Sequence, residues 1–288
     1  MKPLCCAVTG ANGYVGKQIV TSLRESGYIT YELVRSMDRV QDSAFFIPFS
    51  LEHTELPNLS HIDVLIHCAY DFSMQTMHES EKTNLNGSIR LLRHAKLNGV
   101  KKLIVLSTLS SFDGTRSVYG KTKLAIEQSS QKLGAIILRP GLIFGRETVG
   151  IVGAMKKFIK KFPLIPLIGS GKQPFYTCYI DDLCQLIICL AKTDSDFKKP
   201  IFCAAKHPIT FKELVLTLAK SENKTILTLP IPFQAIWLGL KLIEIIGLSI
   251  GLRSDSIVGA YFHDKNFDIS HFAILETIQF RTMDPKLL

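Results

Sequence analysis

The sequence predicts an α/β protein: a doubly wound parallel sheet followed by a smaller, mostly helical C-terminal lobe. Three observations carry this expectation. From residue 4 to about 145, short apolar runs alternate with longer amphipathic ones, the pattern of strands buried on both faces and separated by covering helices. A glycine-spaced turn, Thr9-Gly10-Ala11-Asn12-Gly13-Tyr14-Val15-Gly16, follows the first apolar run. After Arg139-Pro140-Gly141 the alternation weakens and helical spacing takes over. Together they describe a Rossmann-type arrangement.

In chain order, Leu4–Thr9, Ile29–Val34, Val64–Cys68, Leu103–Ser107 and Ala135–Leu138 read as buried strands. Between them, Val15–Ser26, Met77–Leu97 and Tyr119–Leu133 have helical spacing. Leu85, Ile89, Leu92 and Lys96 step by three or four, for instance, and Gly99 is placed to end that helix. Further helices are expected over Gly150–Lys161, Asp181–Lys192, Phe211–Ser221 and Phe233–Ile246, joined by short extended pieces. The chain therefore divides into a dinucleotide-binding domain over 1–145 and a substrate-binding lobe over 146–288, whose segments are free to return to the first sheet. The most apolar stretch, Ile226–Leu252, contains Pro230, Pro232, Lys241 and Glu244, so no clean span of bilayer length exists. It reads as a helix with Ile236, Leu240, Ile243 and Gly247 packed inward and Lys241 and Glu244 on an exposed face. A peripheral membrane contact is left open.

Composition narrows the function. A chain of 288 residues with 47% apolar content has ample length for a core, and Met1-Lys2-Pro3 leads straight into the first strand with no visible targeting signal. Seven cysteines without a CxxC spacing argue against zinc and redox pairs and for buried free thiols in a reducing compartment, here the cytoplasm. No metal site is expected. The net charge of +9 is diffuse apart from Lys156-Lys157 and Lys160-Lys161. Those lysines read as a solvated helix face, or as attraction for a phosphate-bearing small molecule or an anionic membrane. Nucleic acid is excluded, because no aromatic-basic platform accompanies the charge; a homodimer is left open.

Gly10, Gly13 and Gly16 lie where a strand passes into a helix. Glycine there permits a tight turn and close approach of backbone to a pyrophosphate, which the helix N-terminus attracts. Asn12, Tyr14 and Val15 belong to the same cradle. At the end of the second strand an acidic residue would bind ribose hydroxyls, yet the position falls on Val34 or Arg35. A guanidinium grips a 2′-phosphate, so Arg35 points to NADP, with NAD as the other choice.

Tyr119 and Lys123, four residues apart, share one helix face. A phenol is a poor acid-base group at neutral pH, since its pKa is near 10, and a nearby ammonium stabilises its phenolate. A hydroxyl donor beside the substrate oxygen would complete the set, and the run Leu103–Ser111 supplies several at the carboxyl end of a central strand.

In this order the motifs TGANGYVG (9–16), DVLIHCAY (63–70), NLNGS (84–88), KKLIVLSTLS (101–110), YGKTK (119–123), RPGLIFG (139–145) and IGSGKQPFYTCYIDDL (168–183) resemble the extended short-chain dehydrogenase/reductase family, in its NAD-dependent epimerase/dehydratase branch. The resemblance implies that Tyr119 is the acid/base and that Lys123 holds the nicotinamide ribose while lowering the tyrosine pKa. Thr108 is the best match for the hydroxyl partner, with Ser107 and then Ser110 as alternatives. Cys68 and Ala69 would lie along the cofactor and Pro140 near the nicotinamide. The chain departs from the family pattern in a short stretch between Thr108 and Tyr119 and in Ser50 where an aspartate often holds adenine. It also lacks an arginine after Gly171-Lys172-Gln173, for which Lys156, Lys157 or Lys172 would have to substitute. The implied activity is an NAD(P)-dependent epimerase or 4-keto reductase of a nucleotide-linked sugar. Two alternatives stand beside it: an NADP-dependent reductase of a hydrophobic ketone or aldehyde, and a non-catalytic cofactor-binding structural protein. Intact Tyr119 and Lys123 argue against the last.

Overall fold

The computed structural model describes residues 3–35, 45–147, 150–194, 197–246, 253–262 and 278–288. Its frame is built from β1 (Cys5–Thr9), α1 (Tyr14–Glu25), β2 (Ile29–Val34), β3 (Phe46–Pro48), β4 (Val64–His67), α2 (Met77–Ser80), α3 (Asn86–Leu97), β5 (Lys102–Leu106), α4 (Val118–Gln131) and β6 (Ile136–Pro140). The remainder comprises β7 (Leu142–Phe144), α5 (Gly150–Lys161), β8 (Leu164–Ile168), β9 (Pro174–Phe175), β10 (Thr177–Tyr179), α6 (Ile180–Lys192), β11 (Ile201–Cys203), β12 (Ile209–Thr210), α7 (Phe211–Ser221), β13 (Leu227–Ile231), α8 (Phe233–Ile245) and α9 (Ser254–Tyr261).

Seven strands form one sheet in the order β11-β6-β5-β4-β1-β2-β3, parallel at every pairing. The strict alternation of a strand divides its side chains between two cores. Cys6 and Val8 of β1, Val64 and Ile66 of β4, and Ile104 and Leu106 of β5 pack with α1 and α6. Cys5 and Ala7, Leu65, and Leu103 and Val105 pack with α3 and α4 on the other face. Both faces being covered explains why these strands read as continuous apolar runs. A π-helical turn over Glu81–Leu85 joins α2 to α3 within the stretch expected to be one helix.

Two strands of this sheet were not given bounds beforehand, although a return of the C-terminal segments to it was left open. β3 and β11 are three residues each, too short to show a period. β11 pairs with β6, Ile201 opposite Leu138, so the chain returns to the sheet after α6. The remaining strands form three two-stranded pairs, β10 with β7, β12 with β9 and β13 with β8. Around β8, the helices α5, α7, α8 and α9 share a third core containing Met155, Ile159, Leu167, Leu214, Leu218, Leu240 and Ile257.

α8 is packed less deeply than its sequence suggests. Only Leu240 is buried, Ile236 and Ile243 are half-buried, and Gly247 lies outside the described residues. Lys241 and Glu244 are themselves half-buried, because Glu244 accepts hydrogen bonds from the Ser254 backbone and hydroxyl at 2.7 and 2.8 Å. Leu238, Leu242, Ile245 and Ile246 are left exposed. Among the described residues, no helix is long and apolar enough to cross a membrane.

Candidate active site

The carboxyl ends of β1, β4, β5 and β6 open into a cleft of about 950 Å³, where ligands bind in open parallel sheets. The glycine turn forms one wall. Gly10 has φ +67°, and a Cβ on it would lie 3.0 Å from the Ala69 backbone. A Cβ on Gly16 would come within 2.2 Å of the Gly10 carbonyl oxygen, so helix and turn are packed as closely as glycine allows. Gly13 is the N-cap of α1, with no side chain capping it, so the first N–H groups remain for an anion. Gly10, Asn12, Gly13, Tyr14, Val15 and Gly16 all line the cleft.

A buried hydrogen-bond chain fixes the opposite wall. The Thr9 hydroxyl accepts from the Cys68 and Ala69 N–H groups at 3.0 and 3.1 Å. Its own proton therefore goes to His67 Nδ1 at 2.9 Å. That leaves the imidazole proton on Nε2, donating to Ser88 at 2.8 Å. Burial, with a smaller push from Lys123, holds His67 down at about 3, so it is neutral. The chain sets Cys68 and Ala69 against Gly10; burial pushes the Cys68 thiol up to about 12.

Arg35, at the end of β2, lines the cleft and lies 3.2 Å from Asp71. Burial opposes ionisation of Asp71, but hydrogen bonds from Ser73 and the Arg35 charge leave its pKa below the ordinary value. Ser50 is buried on the same side, and Pro140 lines the cleft at the end of β6.

Tyr119 and Lys123 project from the first turns of α4. Ser117 caps this helix by accepting from Gly120 N–H at 3.0 Å. The preceding two N–H groups, of Val118 and Tyr119, donate to the Asp255 carboxylate of α9 at 2.8 and 3.1 Å. A Cβ on Gly120 would lie 2.5 Å from the Ser110 carbonyl oxygen, which shows how tightly α4 presses on the loop after β5. Thr108 lines the cleft together with Tyr119, and its side chain acts to lower the phenol pKa. Ser107 is engaged elsewhere, donating to Glu127 at 2.8 Å, a carboxylate also held by Arg139. Ser110 lines the cleft, and its N–H donates to the Thr108 hydroxyl at 3.2 Å.

Lys123 is buried and donates to the Leu106 carbonyl at 2.7 Å; burial brings it down to about 8. Its ammonium lies 5.1 Å from the centre of the Tyr70 ring. Burial first, then Tyr70, raise the Tyr119 pKa, against an opposing influence of Thr108.

Three contributors escaped the sequence reading. Phe72 stacks on Tyr119 with ring centres 5.5 Å apart. Asn84, fully buried in the π-helical turn, accepts from the Asp71 N–H at 2.7 Å and donates to its carbonyl at 3.0 Å; NLNGS was its only signal. Asp255 lies 136 residues from the tyrosine it supports, beyond any local pattern.

Beyond Tyr119 the cleft is lined by Phe72, Met74, Phe112, Ile151, Phe175 and Tyr176. Among the described residues its cations are Arg35, Lys123 and Arg253, and Arg253 donates to the Phe72 carbonyl. Lys156, Lys157 and Lys172 do not line it; Lys156 pairs with Glu222 at 3.0 Å. Among the described residues no cluster of His, Cys, Asp or Glu could hold a metal ion.

This fold and cleft have the layout of an extended short-chain dehydrogenase/reductase. Residues 6–204 match the NAD dependent epimerase/dehydratase family, and the chain belongs to that family. It is 27% identical over 222 residues to the bifunctional protein GAL10 of Kluyveromyces lactis, covering 62% of this chain but only 32% of that one. It is 23% identical to the 4-hydroxy-2-methyl-3-oxo-4-farnesyl-3,4-dihydroquinoline-1-oxide ketoreductase of Stigmatella aurantiaca, over 79% of this chain and 76% of that protein. The fold is similar to that of UDP-glucose 4-epimerase from Thermotoga maritima, solved with UDP-glucose: TM-score 0.67 and 21% identity over 79% of this chain and 86% of that one.

Proposed function

We propose that the chain is an NAD(P)-dependent oxidoreductase that interconverts an apolar ketone or aldehyde and its alcohol. The observation that carries this is the convergence of Thr108, Tyr119 and, one helical turn on, Lys123 at the glycine-cradled cleft. The cradle fits a pyrophosphate, because a side chain at Gly10 or Gly16 would fill it. In this reading Gly10, Asn12, Gly13, Tyr14, Val15 and Gly16 hold the pyrophosphate, Arg35 meets the 2′-phosphate of NADP, and Cys68, Ala69 and Pro140 flank the dinucleotide. Residues 1–145 with the returning α6 and β11 serve the cofactor, and most of 146–288 serves the substrate. When bound, the nicotinamide supplies the hydride to the carbonyl carbon. Tyr119 gives its proton to the carbonyl oxygen, Thr108 hydrogen-bonds that oxygen, and Lys123 holds the ribose. Burial keeps the phenol protonated, which suits the reductive direction.

The apolar lining beyond Tyr119 supports a hydrophobic substrate, as does the farnesyl-bearing ketone in the name of the Stigmatella relative. A second reading, epimerase or 4-keto reductase of a nucleotide-linked sugar, is supported by Arg253 at the cleft and by the name of the Thermotoga enzyme. Consumption of NADPH and NADH against long-chain and aromatic ketones, and against UDP- and dTDP-linked sugars, separates them. Turnover confined to the first panel is the expected result; turnover confined to the second moves the assignment to the sugar. Tight cofactor binding with no turnover of either would return the chain to a non-catalytic role.

A further inference from the structure

We infer that the tip of the C-terminal lobe, where α5 and α7 end and β8 and β13 begin, docks on the surface of an anionic lipid bilayer. The inference is independent of the reaction proposed above.

Two stretches of sequence meet there. Lys156-Lys157-Phe158-Ile159-Lys160-Lys161-Phe162-Pro163-Leu164 runs off α5 into β8, and Lys220-Ser221-Glu222-Asn223-Lys224-Thr225-Ile226-Leu227 runs off α7 into β13. The strands are parallel with Leu164 opposite Leu227, and Leu227 N–H donates to the Pro163 carbonyl at 2.8 Å. Asn223, at φ 52°, closes α7 in the left-handed region, and Lys224 N–H returns to the Ala219 carbonyl at 2.9 Å. The two lysine-bearing ends are thereby held side by side.

The centre of the tip is apolar and open: Phe162 is 41% exposed, Leu164 47%, Leu227 71% and Leu229 47%. Its rim is cationic. Glu222 holds both Lys156 and Lys160, at 3.0 and 2.9 Å. Lys157, Lys161, Lys220 and Lys224 are exposed, and none forms an ion pair among the described residues. Lys220 and Lys224, with Leu216 and Ile226, line a shallow hollow of about 370 Å³.

Cations without an ion pair among the described residues, one of them, Lys161, lying 5.4 Å from the centre of the Phe162 ring, around exposed leucine and phenylalanine match a surface with anionic headgroups over an apolar phase. A nucleic acid would satisfy the lysines and leave Leu227 in water. A second copy docked on the same face would set lysine against lysine. The exposed face of α8 is an internal comparison: it is apolar, but its lysine, Lys241, is paired with Glu244 at 3.3 Å, so it lacks the charge match.

The test is co-sedimentation of the full chain with phosphatidylcholine vesicles, with and without phosphatidylglycerol, at low and high salt. Binding should require the anionic lipid and fall with salt. A lysine near such a surface is worth about fivefold in partition, so Lys161→Glu with Lys224→Glu should lower binding at least tenfold. Leu227→Gln, which keeps every charge, should lower it severalfold. Reversing Lys96 and Lys132 on the sheet half, an equal change in net charge, should leave it unaltered, as should Leu242→Gln on α8. Unchanged melting temperatures confirm that each variant is folded. The proposal is overturned by absence of vesicle binding, by equal loss in the Lys96/Lys132 pair, by loss only in the α8 variant, or by a self-associated species that Leu227→Gln dissolves.

Discussion

In the sheet half of the molecule every residue of β1 and β4 is buried, and the polar groups among them are tied into the Thr9–His67–Ser88 chain. In the C-terminal lobe α8 buries one residue, Leu240, and β13 leaves Leu227 and Leu229 open. The first region supplies rigid elements of the kind that the proposed proton and hydride transfer requires. The second presents apolar side chains to a cleft and to the surface. Asp255 joins the two regions by binding, from α9, the N–H groups at the start of α4.

The largest expected effect lies in the rigid region. Tyr119→Phe should lower turnover on the order of 10²–10⁴-fold, with melting temperature and cofactor affinity nearly unchanged; near-normal turnover would break the assignment of chemistry to this half. Next comes the buried lysine. Its pKa is about 8 in the fold against an ordinary 10.5, so between those values the unfolded chain binds a proton that the folded chain does not. The Lys123 contribution to stability should therefore rise across that window, by about 3 kcal/mol at most, while the thiols of Cys6, Cys68, Cys178, Cys184 and Cys203, all pushed up by burial, pull total stability down at its alkaline end. Denaturant titrations of wild type and Lys123→Met from pH 7 to 10, near the ordinary lysine pKa of about 10.4, check this: the stability of wild type relative to the variant must rise with pH.

Arg35→Asp should weaken NADP relative to NAD by about tenfold to 150-fold, the loss of a charge-assisted contact. Isothermal titration of both cofactors decides it, and equal wild-type affinity for the two would remove the basis for the NADP choice. The smallest effect probes the joint between the regions. Asp255→Ala removes an N-terminal cap, which typically costs about 1 kcal/mol of stability. It should lower kcat about fivefold, more than it changes KM, if the cap sets the tyrosine. A variant with unchanged kcat and melting temperature would make the two regions independent.

The same contrast explains what was legible beforehand. The strands β1, β2, β4, β5 and β6 fall within two residues of their expected ends, because burial on both faces of the central strands β1, β4 and β5 writes largely apolar runs into the sequence. That the glycine turn and the Tyr119/Lys123 pair line one cleft follows from local signals, a turn and an i,i+4 pair, whereas Thr108 was singled out only by the family resemblance. β3 and β11 were not legible, since three residues carry no period. Asp255 and Phe72 meet Tyr119 only through tertiary packing, and the raised Tyr119 pKa follows from burial, which spacing does not encode. The face of α8 was misjudged because Lys241 and Glu244, read as marking the solvent side, are half-buried, with Glu244 turned onto Ser254.

The most direct test of the central claim follows the hydrogen itself. NADPH deuterated at its transferable position is supplied to wild type and to Tyr119→Phe with a ketone from the active panel, and the product is analysed by mass. The account predicts one deuterium on the carbinol carbon in the wild-type product and a rate of incorporation depressed in the variant as strongly as turnover. Undiminished incorporation in Tyr119→Phe, or product formed without deuterium, would contradict it.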